Sequence, residues 1–290
     1  MNLTLALRLG RISNLPTVWT NVLVGALLAG GSLADPRLPL LMLALSLFYV
    51  GGMFLNDAFD RDFDAQHRPQ RPIPSGQVSA RQVFAFGFGM LALGMAVVAG
   101  AARASDSLGA WRALASAAAL VAAIVFYNAH HKNNPLSPLV MGLCRVLLVV
   151  TAAFSMAAVL PSAVVLAAVA LLCHLIGLTY IAKQEHLDRI GSLWPLGFLA
   201  LPLFYGVSLA LSAPLVWLPL ALYAAVLVFA LSLLRRRARG DVPRAVVTLI
   251  AGMSVLDGVM LAGAGQLLPC VLAIGAFGLT LVLQRWVSGT

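Results

Sequence analysis

Apolar segments of helix length follow one another along almost the whole chain, and they restrict its fold more than any other feature. Hydropathy separates ten of them, at residues 14–32, 37–56, 82–102, 110–128, 136–159, 162–182, 192–211, 213–234, 244–264 and 268–286. Each holds about 17–24 residues, the length that an α-helix needs to cross the hydrocarbon core of a bilayer. The segments lack the apolar–polar alternation of a membrane β-strand. We therefore expect an all-α polytopic membrane protein.

The composition supports one integral unit over residues 1–290 without a soluble domain. Hydrophobic residues make up 61% of the chain and charged residues only 10%, whereas soluble domains carry about 25% charged residues. The net charge of +9 raises the question of a nucleic-acid partner. The basic residues lie in short loops between apolar segments, so we interpret them as topology signals. The expected surroundings are a lipid bilayer, with no nucleic acid bound.

The distribution of Lys and Arg predicts the orientation of these segments. Apart from Arg145 inside an apolar segment, only Arg37, Arg103 and Arg112 fall at one set of segment ends, and all other basic residues fall at the opposite set. Loops rich in Lys and Arg stay on the cytoplasmic side of a membrane. The pattern thus predicts a cytoplasmic N-terminus in a multi-pass protein of the bacterial inner membrane.

A cluster of aspartates follows the second apolar segment. Residues 56–64 hold four of the ten acidic residues in the chain. On a helix, Asp57, Asp60 and Asp64 would share one face, because they stand at positions i, i+3 and i+7. Carboxylates so close together repel each other unless a cation lies between them, and Mg²⁺ prefers such oxygen ligands together with substrate phosphates. The alternative is a solvated acidic loop between two helices.

Two arginines, Arg68 and Arg71, follow the aspartates in a proline-rich segment over residues 66–76. Guanidinium groups bind phosphate oxygens through paired hydrogen bonds. Carboxylates for a metal ion beside arginines for phosphate favour a diphosphate site. The arginines could instead neutralise the aspartates or bind anionic lipid headgroups.

The sequence Asn56-Asp57-x-x-Asp60-x-x-x-Asp64 matches the NDxxDxxxD motif and resembles the UbiA superfamily of intramembrane prenyltransferases. The segment over residues 71–76 is similar to one in its chlorophyll synthase-like members. The resemblance implies a bundle of nine to ten transmembrane helices around a central cavity open to the cytoplasmic side. It also implies Mg²⁺-dependent transfer of an isoprenyl group from a prenyl diphosphate to an aromatic or other lipophilic acceptor, with Asn56 beside the diphosphate and the three aspartates catalytic.

A second polar loop, over residues 180–189, departs from the second aspartate motif of that family. Its acids are Glu185 and Asp188, at positions i and i+3, which could bind a second Mg²⁺. The resemblance implies that Tyr180 and Lys183 contact the diphosphate, and Lys183 is also a candidate catalytic residue. The alternative is a solvated helix end with charges of both signs.

Polar residues inside the apolar segments and one loop lysine complete the candidate site. An isolated intramembrane charge such as Arg145 normally faces a cavity or a partner, and the resemblance implies that Arg145 and Asn21 lie near the diphosphate. Asp257 is a candidate for either a structural salt bridge or hydrogen bond inside the bundle or a role in the pocket. His174 is better interpreted as a packing residue, and Lys132 as a charge that orients its loop, although it could also lie over the phosphates.

Two functions of other classes stay open at this point. A UbiA-like fold could bind a prenyl diphosphate or another lipid without turnover, in the export or assembly of a metabolite. A secondary transporter would use Arg145 and Asp257 as coupling residues. The main polar cluster lies at helix ends and not at the membrane midplane, which disfavours the transporter.

Overall fold

The structure is a computed structural model that describes residues 1–103, 107–132, 134–183, 194–236 and 238–287. The described residues form helices and their connections, with no β-strand among them. The α-helices, numbered in chain order, are α1 Leu3–Leu9, α2 Leu15–Leu28, α3 Arg37–Phe59, α4 Arg61–His67, α5 Ala80–Ala102, α6 Ser107–His130, α7 Ser137–Phe154, α8 Ser162–Lys183, α9 Leu201–Ser212, α10 Trp217–Arg236, α11 Asp241–Gly263 and α12 Leu267–Leu283.

Each of the ten apolar segments predicted from the sequence corresponds to helical structure. Seven described helices are long and apolar enough to cross a membrane, namely α3, α5, α6, α7, α8, α10 with the three residues before it, and α11. Three shorter apolar helices span Ile12–Leu28, Leu196–Ser212 and Leu267–Leu283. The all-α prediction is confirmed, and nine to ten membrane crossings stay a prediction.

Helix α11 lies at the centre of the bundle and α5 at its edge. In the most apolar stretch of α11, 89% of the residues are buried, compared with 28% in α5. The main hydrophobic core draws on helices from α2 to α12. A polar residue on α11 therefore meets other helices instead of lipid, and this location permits Asp257 and Ser254 to be buried there.

Polar contacts define the two ends of the bundle. At one end, the connections near residues 11, 56–71, 131–134 and 183 contact one another. At the other end, the guanidinium of Arg37 donates to the carbonyl oxygen of Ser155 at 2.7 Å. Four of the segment ends that hold Lys and Arg thus lie close together, as their distribution along the chain predicted.

Small residues allow α2 to lie close against α7. A Cβ atom at Gly25 would overlap the carbonyl oxygen of Val149 and lie 2.9 Å from the Cβ of Ala152. Close approach at small residues is a common basis of helix packing in membranes, where no hydrophobic effect drives helices together. The position of α2, which supplies Asn21 to the interior, depends on this contact.

We expect Gly25→Ala to destabilise the protein by about 3 kcal/mol, because the new methyl group meets backbone that cannot move aside. Gly89→Ala in α5 is the matched control, since a Cβ there has no heavy atom within 4 Å. The control should be neutral or stabilising by about 1 kcal/mol, because alanine favours the helix. Thermal unfolding of both variants in detergent measures the difference, and equal melting temperatures would contradict the close contact.

Candidate active site

A cavity of about 690 Å³ opens at the end of the bundle where the aspartate motif lies. Its mouth is polar and its interior mostly apolar. The polar residues at the mouth are Arg11, Asn56, Asp60, Arg68, Arg71, Asn128, His131, Lys132 and Lys183. The apolar residues of the interior include Phe48, Leu120, Ile124, Leu148, Leu175, Leu178, Ile250 and Met253. The predicted central cavity is confirmed, and it can hold a ligand with a charged head and an apolar chain.

The aspartate motif does not lie on one continuous helix. Helix α3 ends at Phe59, Asp60 caps it, and α4 begins at Arg61. Asp57, Asp60 and Asp64 are all buried, with 9%, 6% and 2% of their surfaces exposed. The alternative of a solvated acidic loop therefore does not fit these three side chains. Asp62 alone points outward, with 83% of its side chain exposed.

Arginines neutralise two of the three buried carboxylates. Nη1 of Arg71 lies 3.1 Å from Oδ1 of Asp57 and 3.2 Å from Oδ2 of Asp64. Nη2 of Arg11 lies 3.5 Å from the same Asp57 oxygen and donates to Oδ1 of Asn56 at 3.2 Å. Repulsion between carboxylates predicts a cation between Asp57 and Asp64, and Arg71 supplies that positive charge.

Asp60 turns away from its neighbours to the connection after α6. Nε2 of His131 lies 3.4 Å from Oδ1 of Asp60, and Nζ of Lys132 lies 3.1 Å from Oδ2. Burial acts to raise the pKa of Asp60, but His131 and Lys132 together outweigh it and leave this pKa below its ordinary value. Burial raises the pKa of Asp64, and the nearby carboxylates add to this while Arg71 opposes it. The pKa of Asp60 is thus lowered, whereas that of Asp64 is raised.

Asparagines on two helices fix the start of the motif. Nδ2 of Asn56 donates to Oδ1 of Asn128 on α6 at 3.1 Å. Nδ2 of Asn128 in turn donates to the carbonyl oxygen of Gly52 at 3.0 Å. Because each amide is both donor and acceptor, the pair holds the last turn of α3 at a fixed rotation against α6.

Arg145 lies deeper in the cavity and is 8% exposed. Its guanidinium donates to Oδ1 of Asn21 at 3.0 Å and to Oγ1 of Thr17 at 3.2 Å. Nδ2 of Asn21 and Oγ1 of Thr20 then donate to Oδ2 of Asp257 at 2.7 Å and 2.6 Å. Asn21 therefore lies between the charged groups of α7 and α11 and positions Arg145.

The remaining predicted residues occupy different places. Lys183 lines the mouth, where its Nζ donates to the carbonyl oxygen of Asn134 at 2.8 Å, and Arg68 lines it as an exposed residue. Tyr180 is half-buried and is not among the described residues that line the cavity. The predicted second metal pair, Glu185 and Asp188, falls outside the described residues.

Residues absent from the sequence prediction contribute much of the mouth. Arg11 and His131 both contact motif residues, and Asn128 orients Asn56. Lys132, interpreted as a charge that orients its loop, instead lies against Asp60. In the sequence, only their position at the segment ends predicted to be cytoplasmic could have indicated these residues, because their contacts arise when distant helices pack.

The packing interpretation of His174 agrees with its buried hydrogen bonds to Tyr223 and to the carbonyl oxygen of Leu249.

The backbone of Arg11 is strained. With φ 43° it is the one non-glycine residue at positive φ in the described part of the chain. That conformation costs a side-chain-bearing residue about 1–2 kcal/mol. Its guanidinium contacts the motif from this position, so the turn serves to direct the side chain toward Asn56 and Asp57.

We expect Arg11→Gly to be more stable than Arg11→Ala by about 1 kcal/mol, because only glycine adopts positive φ without strain. Both variants lose the contacts to Asn56 and Asp57, so their difference in melting temperature reports the backbone alone. Binding of Mg²⁺ and diphosphate should weaken equally in both. A more stable alanine variant would contradict the strain.

The fit of the site to a metal ion can be tested on its donor atoms. Among the described residues, no three carboxylate, imidazole or thiolate groups converge into a ready metal cage. Mg²⁺ beside phosphates usually takes only one or two carboxylates, and phosphate oxygens and water complete its shell. The buried carboxylates of Asp57, Asp60 and Asp64 are ligands of that kind. Asp60 is the one of the three that lines the cavity, so it fits Mg²⁺ held jointly with a diphosphate there.

The UbiA prenyltransferase family model matches residues 18–246. The chain belongs to the UbiA prenyltransferase family. The structure confirms the predicted all-α bundle, and the chain is an integral, multi-pass membrane protein. The finer similarity to chlorophyll synthase-like members stays a prediction.

Two archaeal relatives illustrate the sequence similarity. The chain is 40% identical to the digeranylgeranylglyceryl phosphate synthase of Methanopyrus kandleri over 89 residues, which are 31% of the chain and 32% of that protein. It is 33% identical to the enzyme of the same name from Natronomonas pharaonis over 112 residues, 39% of the chain and 38% of that protein. The matches thus span about a third of each relative.

Solved structures support the fold over nearly the whole chain. A structure of digeranylgeranylglyceryl phosphate synthase matches with a TM-score of 0.62 at 18% identity, covering 95% of this chain and 99% of the other. A UbiA homologue from Archaeoglobus fulgidus, bound to GPP and Mg²⁺, matches with a TM-score of 0.52 at 16% identity, covering 94% and 99%. At this identity the likeness concerns the fold.

Proposed function

We propose that the chain transfers an isoprenyl group from a prenyl diphosphate to a lipophilic acceptor within the membrane, in a Mg²⁺-dependent reaction. One observation carries this proposal: the cavity joins a charged mouth at the aspartate motif to an apolar interior. A diphosphate needs the first part and a prenyl chain the second. The synthase names of the relatives and the homologue bound to GPP and Mg²⁺ support the same reaction class.

The basic residues of the cavity suit the charge that develops in this reaction. When the allylic C–O bond breaks, the bonding electrons and negative charge go to the diphosphate. Arg68, Arg71 and Lys183 at the mouth, and Arg145 deeper inside, supply fixed positive charge to it. The apolar interior keeps water from the allylic cation until the acceptor reacts. Asn56 belongs to this diphosphate site, and Asn21 acts by positioning Arg145.

Mg²⁺, when bound, neutralises the diphosphate as a Lewis acid. Asp57, Asp60 and Asp64 would hold it, which would leave their arginine, histidine and lysine partners available to the phosphate oxygens. Asp60 is the motif carboxylate that lines the cavity itself, and its pKa is lowered. We therefore assign Asp60 as the principal Mg²⁺ ligand. A second ion at Glu185 and Asp188, and a diphosphate contact from Tyr180, stay predictions.

We further propose that residues 1–290 act as one domain with the cavity mouth in the cytoplasm. The basic residues Arg11, Lys132 and Lys183 gather at that mouth, as expected for a cytoplasmic end. The bacterial inner membrane stays a prediction, and the relatives described above come from archaea. The acceptor is aromatic or another lipophilic molecule, and the synthase relatives favour a glyceryl phosphate lipid.

The test uses purified full-length protein in liposomes with labelled prenyl diphosphates of several chain lengths. An aromatic acceptor and a glyceryl phosphate lipid are supplied separately, with Mg²⁺ or with a chelator. Labelled product that requires both an acceptor and Mg²⁺ supports the proposal. Mg²⁺-dependent retention of prenyl diphosphate without product from either acceptor would favour a binding protein instead, and failure to retain it would contradict both functions.

A further inference from the structure

A second cavity, of about 380 Å³, lies on the other side of the aspartate motif. Asp57 and Arg71, which belong to the function proposed above, line this cavity, but that function places no ligand in it. Its polar lining comes from the end of α1, from the turn after it and from the segment before α5, and consists of Arg8, Arg11, Gln70, Arg71 and Gln77 together with Asp57. Trp286, just after α12, also lines it. Asp57 lines this smaller cavity and not the larger one.

Positive charge exceeds negative charge in this cavity wall. Three arginines contribute to it. Within the described residues, two carboxylates reach them: Asp57 contacts Arg11 and Arg71, and Asp64 contacts Arg71. Arg8 is exposed at the cavity. A guanidinium excess beside two side-chain amides, which also donate hydrogen bonds, is suited to phosphate oxygens.

The surroundings place this cavity at the edge of the membrane. Trp286 is 72% exposed, and tryptophan favours the boundary between lipid and water. Helix α1 turns Leu5 and Leu9 inward and leaves Leu3 exposed. An anion bound here would lie at the level of the lipid headgroups.

We propose that the smaller cavity is a second anion site, which binds the phosphate ester of a lipid next to the reaction centre. Arg11 and Arg71 line both cavities, so an ester bound in the smaller one lies beside the arginines that hold Asp57. The ester belongs either to the lipid acceptor or to a phospholipid of the membrane. The acceptor case rests on the proposed function, whereas binding itself does not.

Binding is tested by native mass spectrometry of the full-length protein titrated with phosphatidic acid, and with phosphatidylcholine as the zwitterionic reference. We compare Arg8→Gln with Arg81→Gln, which removes the same charge from an exposed position outside both cavities. Loss of a charge-assisted contact should weaken phosphatidic acid binding about 10-fold in Arg8→Gln. The control should bind as the unaltered protein does. Equal affinities in the two variants would overturn the site.

Kinetics distinguish the two sources of the ester. If it belongs to the acceptor, Arg8→Gln raises the KM for a glyceryl phosphate lipid about 10-fold and leaves the KM for the prenyl diphosphate within about 2-fold. If it belongs to a membrane phospholipid, Arg8→Gln instead shifts the dependence of activity on anionic lipid content. Either result supports the site. Arg8-dependent binding without any prenyl transfer would refute the proposed function and keep the site.

Discussion

Asp60→Asn should lower the rate of prenyl transfer at least about 10³-fold, while Asp62→Asn should leave it within about 2-fold of the unaltered protein. Only 8% of the Asp60 side chain is exposed, and it faces the cavity, whereas 83% of Asp62 is exposed to the outside. Asparagine keeps the size of aspartate but loses the negative charge that would hold Mg²⁺ in the proposed site. Initial rates in liposomes with saturating prenyl diphosphate measure the effect.

Comparison of the two variants distinguishes the loss of a charge at the proposed metal site from the loss of a charge elsewhere in the motif. Both remove one negative charge from the same nine-residue motif, so a general effect of net charge would change both rates equally. Raising the Mg²⁺ concentration should partly restore Asp60→Asn if the variant still folds and binds the metal weakly. Unaltered transfer by Asp60→Asn, with Asp62→Asn also active, would refute the assigned metal site.

The positions of the helices could be predicted because the bilayer determines them. A segment must reach across the hydrocarbon core, so apolar length locates α3 at Arg37–Phe59 and α8 at Ser162–Lys183 within a few residues of the predicted bounds. The short helix α4 was missed, because a helix of seven residues, five of them polar, leaves no hydropathy signal. Its start at Arg61 is what turns Asp60 toward His131.

The contacts within the candidate site could be predicted only where the residues are neighbours in the sequence. Asp57, Asp64 and Arg71 lie within fifteen residues, and the structure joins them directly. The partners of Asp60, in contrast, come from the connection after α6. The contacts of Arg11 depend on its left-handed backbone conformation. An arginine at this position in the sequence does not indicate that conformation. Which cation neutralises which carboxylate is a property of tertiary packing, and the single sequence carries no measure of it.

The polar chain from Asp257 through Asn21 to Arg145 is an equally long-range feature with a large expected effect. Asn21 and Asp257 lie 236 residues apart in sequence, so their contact could not be predicted from spacing. Both are buried, at 0% and 2% exposure. A buried carboxylate and guanidinium joined by one amide compensate each other, and removal of either leaves an uncompensated charge.

Arg145→Gln should therefore lower both stability and activity, by about 3 kcal/mol and about 10²-fold. The loss of stability arises from the Asp257 carboxylate, and the loss of activity from the missing positive charge in the cavity. Adding Asp257→Asn should recover about 2 kcal/mol of the stability, because the network then carries no charge, while prenyl transfer stays low. Melting temperatures and transfer rates of the two single variants and the double variant form a cycle that separates these effects. Additive losses of stability in the double variant would show that Asp257 does not balance Arg145, and recovery of transfer would show that Arg145 acts through packing and not through its charge.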